Sequence, residues 1–196
     1  MIKAIAFAVL LGCTSNAHAG ALDSLHGLQG TYTGSWEFFA LDAGGNAVKT
    51  YAATDTATTD KPQRTGDRMF VAVHDVMQLP GHAMNVDFNE GYLVKPDGSA
   101  GDRFFEIYGQ TIIERPIGDR AWAYQTPAAP QELDQLGFRG MTVLSAVHTT
   151  VKTESVQGHT ETQHVTRLTT VRYKTPDGAF KSVQFVSMSG THTREI

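Results

Sequence analysis

The feature that most constrains this chain is the pattern between Met141 and Arg194, where three long segments alternate their side chains at period two. In residues 141–155, Met141, Val143, Ser145, Val147 and Val151 fall on one face, and Thr142, Leu144, His148 and Lys152 on the other. Residues 160–174 and 179–194 continue the pattern. Between them Thr175, Pro176, Asp177 and Gly178 form a hairpin turn, because an Asp-Gly pair accepts the positive φ that tight hairpins require. Successive side chains of a strand point to opposite faces, so each segment must bury one face against another layer. Long strands joined only by tight turns are antiparallel neighbours in one sheet.

The same alternation runs back through the chain. Residues 31–40 set Tyr32, Gly34, Trp36 and Phe38 on one face, and Asp42, Gly44, Gly45 and Asn46 then turn the chain into a strand over 47–56. A turn over 60–66, with Pro62 inside it, leads to residues 68–79, where Met69, Val71, Val73 and Met77 share a face. Pro80 and Gly81 end that strand. The next begins at 84–88, breaks at Asn89 and Glu90, and resumes over 91–95 before the tight turn of Pro96, Asp97 and Gly98. Residues 103–113 read as one strand and 121–125 as a short one. Residues 126–137 break the alternation with Pro127, Pro130, Glu132, Leu133 and Leu136, a loop holding one short helix opened by proline.

These segments define an all-β protein, a single antiparallel up-and-down β-barrel of about eight to ten strands with a short N-terminal helical lead over 22–28. A two-sheet sandwich is the other topology open to such a pattern. Sequential hairpins without a long crossover, and strands longer than a sandwich normally uses, favour closure.

Residues 1–19 read as a cleavable signal peptide, with Lys3, an apolar run from Ala4 to Leu11, and small residues at Ala17 and Ala19 placing cleavage before Gly20. The run is too short to span a bilayer, so residues 20–196 form one barrel domain expected in the periplasm or outside the cell. Leu10, Leu11, Gly12 and Cys13 also resemble a lipobox, and acylation of Cys13 is the alternative, which tethers the barrel to a membrane of the cell envelope. Cys13 is the single cysteine of the chain, so the barrel is held without disulfides and uses no thiol nucleophile. With 16 basic against 20 acidic side chains and no basic block, the chain lacks the cationic footprint that nucleic acid and anionic lipid surfaces demand, so neither is expected as a partner.

Leu28, Gln29, Gly30, Thr31, Tyr32, Thr33, Gly34, Ser35 and Trp36 resemble the opening of a calycin-type barrel, as in lipocalins, fatty-acid-binding proteins and nitrobindin-like proteins. In those families a glycine is followed two residues later by an aromatic ring that plugs the closed end, here Gly30 with Tyr32 or Gly34 with Trp36. The resemblance implies an arginine from a late strand packed over the first-strand tryptophan, a role open to Arg167, Arg172 or Arg194. The nitrobindin-like likeness implies haem held by a histidine near the C-terminus, where His192 lies.

Chemical motifs are sparse. His26, His74, His82, His148, His159, His164 and His192 form no metal-ligand spacing, although His74, His148 and His164 on adjacent strands have the means to converge. No nucleophile elbow and no phosphate-cradling loop occur, so no catalytic residue, metal or cofactor is assigned, with haem as the alternative. The expected inward-facing set is Tyr32, Trp36, Phe38, Met69, Val71, Phe105, Ile107, Val143 and Val147, and these are the expected ligand-lining residues. Met69 and Met77 suit an irregular apolar ligand, because thioethers adapt their shape. The function this implies is a binding module for a small apolar or amphipathic molecule. A barrel enzyme (an isomerase, a cyclase or a haem-dependent activity) and an envelope interaction protein with a filled core are the alternatives.

Overall fold

A computed structural model describes Leu25 and residues 28–195. The expected signal peptide, Cys13 and most of the expected helical lead lie outside the described residues. The strands are β1 (Thr31–Leu41), β2 (Ala47–Thr59), β3 (Gln63–Thr65), β4 (Arg68–Leu79), β5 (His82–Val94), β6 (Ala100–Ile107), β7 (Gln110–Gly118), β8 (Ala121–Pro127), β9 (Thr142–Gln157), β10 (Thr160–Lys174) and β11 (Phe180–Glu195). A helical turn α1 (Pro130–Leu133) runs directly into a π-helical turn over Asp134–Phe138. Each strand pairs antiparallel with the next in sequence except β2 with β3, both of which pair with β4, and β1 also pairs with β11. These pairings close a ten-strand up-and-down barrel. The short β3 extends along β4 where β2 has ended at the Pro62 turn.

Closure pairs the first strand with the last, so neither end of the strand order is a free edge. Its two ends differ. At the end where β1 begins, Leu25 and Leu28 are buried with Ala57, Val71 and Val73, against Tyr32, Met69, Phe88 and Tyr92. At the opposite end α1 and the π turn set Phe138 onto Val171 and Phe185, with Leu41, Val143 and Tyr173 around it. Pro130 opens α1 as the sequence indicates, and the Glu132 carboxylate folds back to accept the Ala129 N–H at 2.8 Å, giving the turn its cap.

Three details depart from the sequence reading. Strand β5 is continuous through Asn89 and Glu90, which pair with Ala72 and Val71, so there is no break. Residues 103–113 are a hairpin and not one strand. Tyr108 and Gly109 turn between β6 and β7 with φ of 51° and 72°, the double positive φ of a type I′ turn that a tyrosine in first position disguises. Strand β9 carries a bulge: Ser145 opposes Arg172 and Val143 opposes Tyr173, leaving Leu144 as the extra residue. A bulge reverses the alternation beyond it. Val143 therefore packs inward against the Phe138 cluster, whereas Val147 stands on the outer face at 36% exposure, and His148, Thr150, Lys152 and Glu154 take the interior.

Candidate functional site

The barrel encloses a cavity of about 420 Å³. Leu28, Tyr32 and Val73 form its floor, and Ile107, Tyr108, Gln110, Pro127 and Glu132 line its upper part. Tyr108 is 83% exposed, so the cavity meets solvent beside the β6–β7 turn. Of the sequence-derived set, Tyr32, Trp36, Phe105 and Ile107 line this space. Met69 and Val71 pack into the closed end. Phe38 packs on the Trp36, Val165 and Met188 cluster and stacks on Tyr51 at 4.4 Å between centroids. Val143 lies in the Phe138 cluster, and Val147 is outside. Met77 lines the cavity and Met69 does not.

Sequence reasoning missed how much charge the interior holds. A belt of ionised groups crosses the barrel from β5 to β9. The Arg103 guanidinium, 2% exposed, contacts Glu90, reaches Glu114 at 2.8 Å and Glu154 at 2.8 Å, and lies over the Trp122 ring at 4.6 Å. Lys152 Nζ completes the belt at 2.6 Å from Glu114 and 3.3 Å from Glu90, with the Phe105 ring 5.2 Å away. Burial alone raises the Glu90 carboxyl, but the Arg103 and Lys152 charges override it and hold it at about 2. Beneath the belt Arg194 donates to Glu161 at 2.6 Å and to the Gln29 carbonyl, and lies 5.1 Å over the Tyr32 ring. Of the three arginines left open by the sequence, Arg194 is the one stacked on a first-strand ring, and that ring is Tyr32, not Trp36. Arg172 is exposed, and Arg167 lies at the α1 end, 3.9 Å from Glu132.

A second polar group is built around a missing side chain. Gly34 on β1 stands opposite Asp55 of β2 and His192 of β11. A Cβ at position 34 would lie 2.0 Å from Asp55 Oδ1 and 2.3 Å from His192 Cδ2. The glycine lets these two side chains meet across the intervening strand, with His192 Nε2 at 2.5 Å from Asp55 Oδ2. The Trp36 ring meets the His192 edge at 4.9 Å, and Gly190 leaves room for that indole. Asp75 of β4 faces the cavity with its carboxyl against that of Asp55. Burial, and then the Asp55 charge, raise Asp75 from the ordinary 3.8 to about 6. Asp55 Oδ1, Asp75 Oδ1 and Trp36 Nε1 are buried without a hydrogen-bond partner among the described residues.

A third group sits under α1. His148 Nδ1 lies 2.8 Å from Thr169 Oγ1, which donates to Ser187 Oγ at 2.6 Å, and His148 Nε2 lies 3.3 Å from Glu132. The His148 bond is the largest influence that lowers the Glu132 carboxyl to about 2. Thr169 separates the serine from the histidine, so this is a bracing chain that ties α1 to β9, β10 and β11 and not a nucleophile with its base. The convergence considered for His74, His148 and His164 does not occur: His74 and His164 are exposed, with His74 bonded to Asp87 at 2.9 Å, while His148 is inside. Among the described residues no cluster of His, Cys, Asp or Glu is arranged to hold a metal ion. His192 does point inward, but its Nε2 is engaged by Asp55 and its ring edge is held by Trp36.

The class these features define is a closed antiparallel barrel with an aromatic-walled, charge-bearing cavity. Comparison with protein-family models and with curated proteins finds no match for this chain. No helix among the described residues is long and apolar enough to cross a membrane.

Proposed function

We propose that this chain is an exported binding module whose barrel holds one small amphipathic molecule. The observation that carries this reading is the cavity of about 420 Å³, which is walled by Tyr32, Trp36, Phe88, Phe105, Ile112 and Met188 and interrupted by buried polar groups. Pockets of this size and make-up take small organic ligands, with the apolar wall supplying affinity and a few polar atoms fixing orientation. A barrel evolved only as a scaffold gains nothing by leaving such a volume open, since each unfilled void forfeits packing.

The neutral dye N-phenyl-1-naphthylamine tests the reading. Saturable fluorescence enhancement at one site per chain, lost when Val165→Trp fills the cavity, supports it; a dye that gains no signal, or gains it equally in Val165→Trp, overturns it. Export enters through residues 1–19, and mass spectrometry of the mature N-terminus separates a soluble form beginning at Gly20 from a lipoprotein beginning at an acylated Cys13.

A second reading, a barrel enzyme, is favoured by one observation: Asp75 lines the cavity beside Asp55 and is raised to about 6, where a carboxyl group is able to give and take a proton near neutral pH. Turnover of a bound molecule by the native protein and not by Asp75→Asn is the result that selects this reading over simple binding.

A further inference from the structure

Resting on the binding reading above, we infer that the ligand carries a positively charged nitrogen, and that Asp75, backed by Asp55 and His192, is the group that receives it. The argument begins with charge balance in the interior. Asp55, Asp75, Glu90, Glu114, Glu154 and Glu161 face inward, against the permanent cations Arg103, Lys152 and Arg194, while Arg167 lines the cavity at the α1 end, 3.9 Å from Glu132. Those cations are all committed to glutamates: Arg103 and Lys152 to Glu90, Glu114 and Glu154, and Arg194 to Glu161. The two aspartates have only His192 between them, and it bonds to Asp55 alone. Buried carboxylates without a donor must take up a proton or a counter-cation, because desolvation penalises the lone charge.

The surroundings of Asp75 decide which cation suits. Asp75 is 7% exposed and lines the cavity, so what approaches it must come through the cavity and leave bulk water behind. The groups facing it are the carboxyl of Asp55 from β2, the imidazole of His192 from β11, and the apolar Val86 and Phe88 from β5. Trp36, itself 7% exposed, adds an indole face and an Nε1–H without an acceptor. An alkylammonium fits this set: its N–H groups meet carboxylate oxygens, its charge meets aromatic faces, and its chain fills the apolar remainder. A neutral alcohol satisfies one hydrogen bond and none of the charge. A carboxylate meets like charge at Asp75 and Asp55. Binding of the cation displaces the proton that Asp75 otherwise holds below about pH 6.

The test uses the full mature protein and three probes that differ only in the head group: octylammonium, octanol and octanoate, each competing with N-phenyl-1-naphthylamine. At pH 7.5 octylammonium is expected to displace the dye at a concentration about tenfold below that of octanol, with octanoate weakest. At pH 5 the advantage of octylammonium over octanol is expected to shrink, because Asp75 is then protonated while the probe stays charged. Asp75→Asn is expected to abolish both the advantage of octylammonium over octanol and its pH dependence. Octanol or octanoate binding as tightly as octylammonium in the native protein overturns the inference while the binding reading stands. An advantage that is independent of pH in the native protein, or that survives Asp75→Asn, also overturns it, and the first of these needs no variant to fold. If neither the dye nor any probe binds, both the inference and the binding reading fall.

Discussion

Glu90 and Asp75 sit in the same barrel interior, two carboxyl groups shut away from water, yet their surroundings drive them in opposite directions. Glu90 belongs to a belt in which each carboxylate touches a guanidinium or an ammonium, and it is held at about 2. Asp75 belongs to a corner in which carboxyl meets carboxyl, and it is raised to about 6. Burial pushes both groups up, so the presence of a fixed cation is what separates them. The difference lies in the partners: every carboxylate of the belt has a permanent cation within ion-pair distance, while the corner has only an imidazole and opens to the cavity.

The belt is the place to break this contrast most forcefully. Arg103→Met leaves Glu90, Glu114 and Glu154 without their shared partner, and the expected loss is about 3–5 kcal/mol in chemical denaturation. A loss below about 1 kcal/mol would show that the belt braces nothing. At the corner, Gly34→Ala puts a methyl group where Asp55 and His192 meet, with an expected cost of about 1–3 kcal/mol. Much of that cost should disappear when the same change is made in an Asp55→Ala background, which makes the double-mutant cycle a direct reading of the close approach.

The pH dependence of stability sharpens the comparison, because the two sites carry opposite signs. A carboxyl raised on folding contributes stability that is complete below its unfolded pKa and is lost as pH rises through the folded value. For Asp75 that window runs from 3.8 to about 6, and the ligand-free protein should lose on the order of 2 kcal/mol across it. Asp75→Asn should flatten this slope in denaturation curves recorded at stepped pH. Glu90 runs the other way: its contribution is present above 4.5 and is lost as pH falls toward about 2. The smallest effect belongs to Glu132 beneath α1, lowered to about 2 chiefly by its bond to His148 but 39% exposed at the side chain. Solvent screening reduces its share, so Glu132→Gln should cost less than about 1 kcal/mol at pH 6 and nothing further at pH 2.

Much of the barrel is legible in the sequence because its signals are local. The period-two runs, the Asp-Gly turn at 177–178 and the proline at 130 each act within a few residues, and the strands they predict stand almost where the pattern puts them. Where reading failed, a local signal was masked or reversed. Tyr108 hides a type I′ turn, and the Leu144 bulge moves Val147 to the outer face while Val143 stays inside. The site was less legible. Tyr32, Trp36, Phe105 and Ile107 are found in the cavity wall because apolar side chains in phase with a strand announce a buried face. Asp75 is in phase with Val71, Val73 and Met77, and that regularity was the available signal for an inward carboxyl, but hydropathy alone assigns an aspartate to solvent.

By itself, then, the sequence determined most of the strands, their antiparallel order and much of the apolar wall, since backbone pleat and turn chemistry are short-range effects. Only the tertiary structure decided which charges meet. Asp55, Asp75 and His192 come from strands β2, β4 and β11, and their contact depends on β1 passing between two of them as a bare glycine backbone. Coulomb interactions and desolvation act through space, and no spacing along the chain encodes that Arg103 would answer Glu90 while Asp75 was left with another carboxyl group.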